Sequence, residues 1–95
     1  MKIEPQKASI ENSKELWKHA KRIIPAGTQT FSKGPDQFVF GVAPIFLTKG
    51  EGAYVWDLDG NKYIDLCMGL WAITLGYGYP AVTDAISRQA QEGQT

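Results

Sequence analysis

One histidine, one cysteine and three tryptophans hold most of the reactive or ligand-binding chemistry that these 95 residues could offer. A single Cys with a single His cannot build an ordinary Cys/His zinc site, and one Cys excludes an internal disulfide framework. His19 sits on the polar side of a helical pattern and reads as a solvated surface imidazole rather than a catalytic base. Cys67 follows an apolar strand pattern and reads as a small core hydrophobe. The run Asp57-Leu58-Asp59-Gly60-Asn61 looks superficially like a calcium loop. Setting Gly60 at the invariant glycine of such a loop puts Val55 and Leu66 at its first and last ligand positions, where neither can ligate. A hairpin turn is the better reading. Gly76 and Gly78 do not complete a dinucleotide fingerprint, and no phosphate-loop motif is present. Trp56, inside a strand pattern, reads as core. Trp71, in an irregular stretch just past Gly69, is a candidate ligand wall. These residues supply no self-sufficient catalytic set, and neither a catalytic residue nor a metal site is expected.

The elements that must position them are legible from punctuation and period. Leu16, Ala20, Ile23 and Ile24, with Trp17 at one edge, recur at helical spacing, while Lys14, Lys18, Lys21 and Arg22 fill the other side. Asn12 or Ser13 is the expected cap, and Pro25 with Gly27 the expected stop. Residues 1–12 are expected to be a flexible tail, and 13–95 one structural segment. From Gly27 to Pro44 the signals are those of an irregular arm, and so long a structureless stretch implies a site lining or a neighbour to drape over. Strands are expected at Ile45–Lys49, Ala53–Asp57 and Lys62–Leu66, joined by turns at Gly50-Glu51-Gly52 and Asp59-Gly60-Asn61. Pro80 opens a final helix with Val82, Ala85, Ile86, Gln89 and Ala90 on one face, ending near Gly93. The expected class is α+β: an N-terminal helix, an irregular arm, a three-stranded antiparallel β-meander and a C-terminal helix.

Composition narrows the partners. Ten Lys+Arg balance ten Asp+Glu, so bulk charge recruits neither nucleic acid nor an anionic membrane. The longest mostly apolar stretch, residues 66–75, is far below the roughly 20 residues that span a bilayer. A soluble, cytoplasmic protein is expected. Three Trp, four Tyr and four Phe are much sticky surface for a small chain to cover alone.

The run from Gly50 to Asp65, followed by Leu75-Gly76-Tyr77-Gly78-Tyr79-Pro80 and the helix after it, resembles the class III pyridoxal-phosphate (PLP) aminotransferases, particularly the glutamate-1-semialdehyde aminomutase-like branch. That pattern has a Gly-x-Gly turn, a D-x-D-G turn, Tyr-Ile-Asp, and Leu-Gly-His-x-His-Pro before a helix. Leu16-Trp17 through Gly27 is similar to the family's first helix and its Pro-Gly-Gly exit. The resemblance implies the N-terminal part of a fold-type-I PLP-dependent transferase. The full-length protein would move an amino group between a small-molecule donor and a carbonyl substrate, as a homodimer. It also implies that the Schiff-base lysine, the pyridine-facing aspartate and the phosphate loop lie downstream in a large domain. No cofactor is therefore expected on this chain alone, and the chain is not expected to be catalytic by itself; a standalone binding module is the alternative. The family's substrate-carboxylate arginine falls on Lys33, and its Ser-Trp pair on Gly69-Leu70, one residue before Trp71. Lys33, Gly69 and Trp71 are the implied substrate-binding residues. Lysine offers one point charge where arginine offers a fork, which implies a different carbonyl substrate, a sugar among them, from that of a true aminomutase.

Overall fold

Residues 8–94 are described by the structure, a computed structural model. A helix, α1 (Glu11–Ile23), leads into an arm of three short 3-10 turns at Pro25–Gly27, Phe31–Lys33 and Pro35–Gln37. Three strands follow, β1 (Leu47–Glu51), β2 (Tyr54–Asp57) and β3 (Lys62–Ile64), in the antiparallel order β1-β2-β3. One tight turn, α2 (Met68–Trp71), and a long helix, α3 (Pro80–Glu92), complete the chain. This is the α+β arrangement expected from the sequence.

Helix α1 starts earlier than expected, and its cap comes from elsewhere. Asn12 and Ser13 lie inside the helix, and no side chain of the helix caps it. The Asp59 carboxylate does so instead, accepting from the Asn12 amide (2.8 Å), the Ser13 amide (3.0 Å) and the Ser13 hydroxyl (2.8 Å). A carboxylate at this end satisfies orphan N–H groups and suits the helix dipole. Most of the tail expected over residues 1–12 lies outside the described residues. Within them Ile10 is buried, and the Ser9 carbonyl accepts from the Asn61 side-chain amide at 2.7 Å. Residues 9 and 10 are thus docked on the fold.

Strand β1 is offset by two residues from the expected one, whereas β2 and β3 fall within their expected ranges and are shorter. Gly50 lies within β1, paired to Val55, rather than in a turn. Its missing side chain is the reason: a Cβ there would overlap the Tyr77 ring. The turn instead centres on Gly52, whose φ is +57°. Gly52 and Tyr77 exchange backbone hydrogen bonds (2.9 and 2.8 Å), which tie the segment before α3 to the sheet.

The core is small. Ile10, Trp17, Ala20 and Val55 are its buried apolar residues, with Ser13 and Asp57 as buried polar members. Trp17 packs over Gly27, where a Cβ would overlap the indole, so the helix and its exit are fitted to each other. Helix α3 buries no residue, although its ends fall where Pro80 and Gly93 predict. The radius of gyration is 15.8 Å, against about 12 Å for a compact domain of this length. Trp56 corrects the reading of it as core: it is half-buried on the outer face of the sheet, under Lys49 Nζ (4.6 Å to the ring centroid) and Lys62 Nζ (5.2 Å). Strand alternation gives two faces but does not say which one is covered.

Candidate functional site

The inner face of the meander and the arm enclose a cavity of about 560 Å³. Two carboxylate-centred clusters stand on that side, and each closes a turn. Asp57, only 2% exposed, ends β2. Its Oδ1 accepts the Asn61 amide at 2.7 Å, and its Oδ2 accepts the Asn61 side-chain amide (2.9 Å) and the Tyr63 hydroxyl (2.9 Å). A buried carboxylate persists only when its lone pairs are filled in this way. Burial, then the bond and the charge of Asp57, push the Tyr63 phenol up to about 12. The hairpin it closes turns through Gly60 at φ +84°, a conformation that glycine adopts without penalty.

Asp65 makes the second cluster. Oδ1 accepts the Cys67 amide (2.9 Å) and the Met68 amide (3.1 Å), and Oδ2 accepts the Tyr77 hydroxyl at 2.6 Å. Burial pushes the Asp65 carboxyl up, but the bonds from Tyr77, Met68 and Cys67 outweigh it and hold it below the usual carboxylate value. Burial and the Asp65 partner push the Tyr77 phenol up to about 12. The turn this cluster holds is unlike the first. Met68, Gly69, Leu70 and Trp71 all have positive φ (49°, 58°, 60° and 66°), forming one left-handed turn. Three of the four carry side chains, at about 1–2 kcal/mol of backbone cost each.

Of the residues expected from sequence to meet substrate, Lys33 and Gly69 line the cavity. Trp71 lies outside that lining and is 75% exposed, whereas its neighbour Leu70, itself 51% exposed, is part of it. Lys33 is the only cationic side chain in the lining and makes no ion pair among the described residues. Cys67 also lines the cavity, half-buried. His19 stays at the surface, accepting from Arg22 at 3.1 Å. Among the described residues no group of three His, Cys, Asp or Glu could hold a metal ion, and no helix is long and apolar enough to cross a membrane.

Sequence reasoning missed the two Asp–Tyr pairs. Asp57 and Asp65 were visible only as turn and strand residues, and their tyrosine partners lie six and twelve residues away. The usable signal was a polar pair, Asp65 with Tyr77, at two places in a largely apolar and glycine-rich stretch.

Comparison with known proteins matches residues 39–95 to the aminotransferase class-III family model. A glutamate-1-semialdehyde 2,1-aminomutase of Chloroflexus aurantiacus is 45% identical over 76 residues, covering 78% of this chain and 16% of the relative. Among solved structures, a glutamate-1-semialdehyde aminomutase from Pseudomonas aeruginosa superposes with a TM-score of 0.76 at 32% identity, over 88% of this chain and 18% of that one. A variant of the same protein was solved in complex with PMP. An omega-transaminase from Sphaerobacter thermophilus gives a TM-score of 0.69 at 26% identity, over 95% of this chain and 18% of that one. The chain thus spans less than a fifth of the length of each of these relatives.

Proposed function

The chain belongs to the class III aminotransferase family, and from that premise we propose that it supplies the N-terminal wall of the substrate entrance in a PLP-dependent aminotransferase or aminomutase-like enzyme. In the full-length protein that enzyme transfers an amino group between a small-molecule donor and a carbonyl substrate. It works as a cytoplasmic homodimer, with no nucleic-acid or membrane partner. PLP, when bound, supplies an electron sink that the protein orients and tunes.

The described residues of this chain do not form a complete cradle for PLP. Both Asp65 oxygens are already taken by Tyr77 and two backbone amides, and Asp57 is likewise filled. No carboxylate on the cavity is left to face a pyridinium, and Lys33 is the one cationic nitrogen in the lining. The Schiff-base lysine and the phosphate site belong, on this reading, to the large domain of the full-length protein. The segment is not catalytic alone.

The observation that carries the proposal is Lys33, which lines an otherwise mostly apolar cavity whose lining also includes Gly69. An unpaired ammonium there is a point charge for an anionic or strongly polar group of the substrate, with Gly69 leaving room for its backbone to approach. In the full-length enzyme Lys33→Gln is expected to raise KM for an anionic carbonyl acceptor about tenfold, the worth of one charge-assisted bond, with kcat little changed. Unchanged KM across a panel of anionic and neutral acceptors would remove Lys33 from the substrate site and the proposal with it.

A further inference from the structure

The left-handed turn α2 contributes Gly69 and Leu70 to the cavity lining, and its first amides are held by Asp65, whose other oxygen is held by Tyr77, six residues beyond Trp71. Tyr77 is itself fixed on two sides: its backbone pairs with Gly52, and its ring lies over Gly50, which has no side chain to displace it. From that anchorage its hydroxyl donates to Asp65 Oδ2 at 2.6 Å, and Asp65 Oδ1 in turn receives the amides of Cys67 and Met68 at the start of the turn. The turn is closed by Trp71 N donating to the Cys67 carbonyl (3.0 Å) and Ile73 N donating to the Met68 carbonyl (2.9 Å). Three of its residues would be more relaxed elsewhere in backbone space. So the turn depends on an outside restraint, and Tyr77 through Asp65 is that restraint.

The consequence falls on the cavity wall. In the held turn Leu70 lines the cavity and Trp71 projects into solvent, 75% exposed. The exposed indole and the residue on the cavity lining are thus neighbours in one left-handed turn, so the hand of that turn decides which of the two meets the cavity. We propose that Tyr77 is a positioning residue that selects which side chain forms this part of the wall. With the Tyr77–Asp65 bond made, α2 is left-handed and Leu70 is part of the lining. With the bond broken, Met68, Leu70 and Trp71 leave the left-handed region, and the Trp71 indole turns in and narrows the cavity. Tyr77 thereby sets the size of ligand that the cavity admits. This inference does not depend on the chain serving a PLP enzyme.

The test labels the tryptophans of the full chain with a fluorinated indole, which gives one fluorine resonance for each of Trp17, Trp56 and Trp71; Trp71→Phe identifies the third. Its shift difference between light and heavy water reports exposure. In the unaltered chain Trp71 is expected to show the full difference of a solvated indole. Tyr77→Phe is expected to reduce it by more than half while Trp56 stays unchanged. Adding Leu70→Gly, which lowers the backbone cost of the left-handed turn without touching the bond, is expected to restore the Trp71 signal. General loosening would not be cured by that glycine. A Trp71 resonance unmoved by Tyr77→Phe, or one that Leu70→Gly fails to restore, overturns the proposal. Should Tyr77→Phe abolish the fold by circular dichroism, the double variant decides. A folded chain with an exposed Trp71 supports the proposal, and an unfolded one overturns it.

Discussion

Asp57 and Asp65 build the same device on two different sequences. Each carboxylate accepts two bonds from the turn just after it and one from a tyrosine hydroxyl, and in each pair the phenol is pushed up to about 12. Around Asp57 the chain complies, because Gly60 takes the one left-handed position. Around Asp65 it does not, because Met68, Leu70 and Trp71 take left-handed positions that suit none of them. The first cluster therefore confirms a conformation that its sequence already prefers. The second imposes one. A hydrogen-bond inventory alone would call them equivalent; the backbone angles separate a static scaffold from a loaded one.

The largest expected effect is on the compliant side. Asp57→Ala leaves the Tyr63 hydroxyl and both Asn61 donors without their buried acceptor, a loss of about 3 kcal/mol or more, enough to unfold a domain with so small a core. Far-UV circular dichroism without denaturant reads it, and a chain that stays folded would show that Asp57 is dispensable. The comparison sharpens with the tyrosines. Tyr63→Phe and Tyr77→Phe each remove one bond to a charged acceptor, worth about 1.5–3 kcal/mol. Only the second also releases the cost held in α2, about 1–2 kcal/mol for each residue that leaves the left-handed region, so Tyr77→Phe is expected to be the milder of the two. Urea midpoints decide this, and equal losses would mean that α2 stores nothing.

Smaller still are two backbone tests of opposite sign. Gly60→Ala puts a Cβ into open space but at φ +84°, so it is expected to destabilise by about 1–2 kcal/mol. Leu70→Gly is expected to be neutral or slightly stabilising, since the relief of left-handed cost offsets a lost side chain and a freer unfolded chain. Two destabilising results of similar size would erase the distinction between the turns. The slightest signal is in pH. Both phenols titrate later in the folded chain than the usual value near 10, so the stability that their protonated forms hold is complete below pH 10 and is lost as pH rises towards about 12. Tyrosinate absorbance should show two late groups in the folded chain, with Tyr63→Phe and Tyr77→Phe each removing one.

What the sequence made legible was local. Asp59-Gly60-Asn61 fixed the β2–β3 hairpin, and Pro25, Pro80 and Gly93 marked helix ends, because each acts on its immediate backbone. The order of elements followed. What stayed hidden was held across distance. Asn12 and Ser13 looked like caps, but the cap is a carboxylate 46 and 47 residues away. Gly50 looked like a turn until the Tyr77 ring was seen to need its bare backbone. Nothing in the types Met68, Leu70 and Trp71 announces a left-handed turn, since only Gly69 among them favours it. At the candidate site Lys33 and Gly69 were reached through family alignment, whereas the exposure of Trp71 depends on a backbone hand that no residue pattern encodes.

The Asp59 cap also fixes an order of assembly. Contacts within the meander close short loops, whereas docking α1 brings together groups almost half a chain apart. The acceptor for the helix N-terminus exists in place only once the β2–β3 hairpin has turned. The hairpin is therefore expected to form first and α1 to dock on it, so a helix that comes first in the sequence is expected to be among the last parts to gain its native stability.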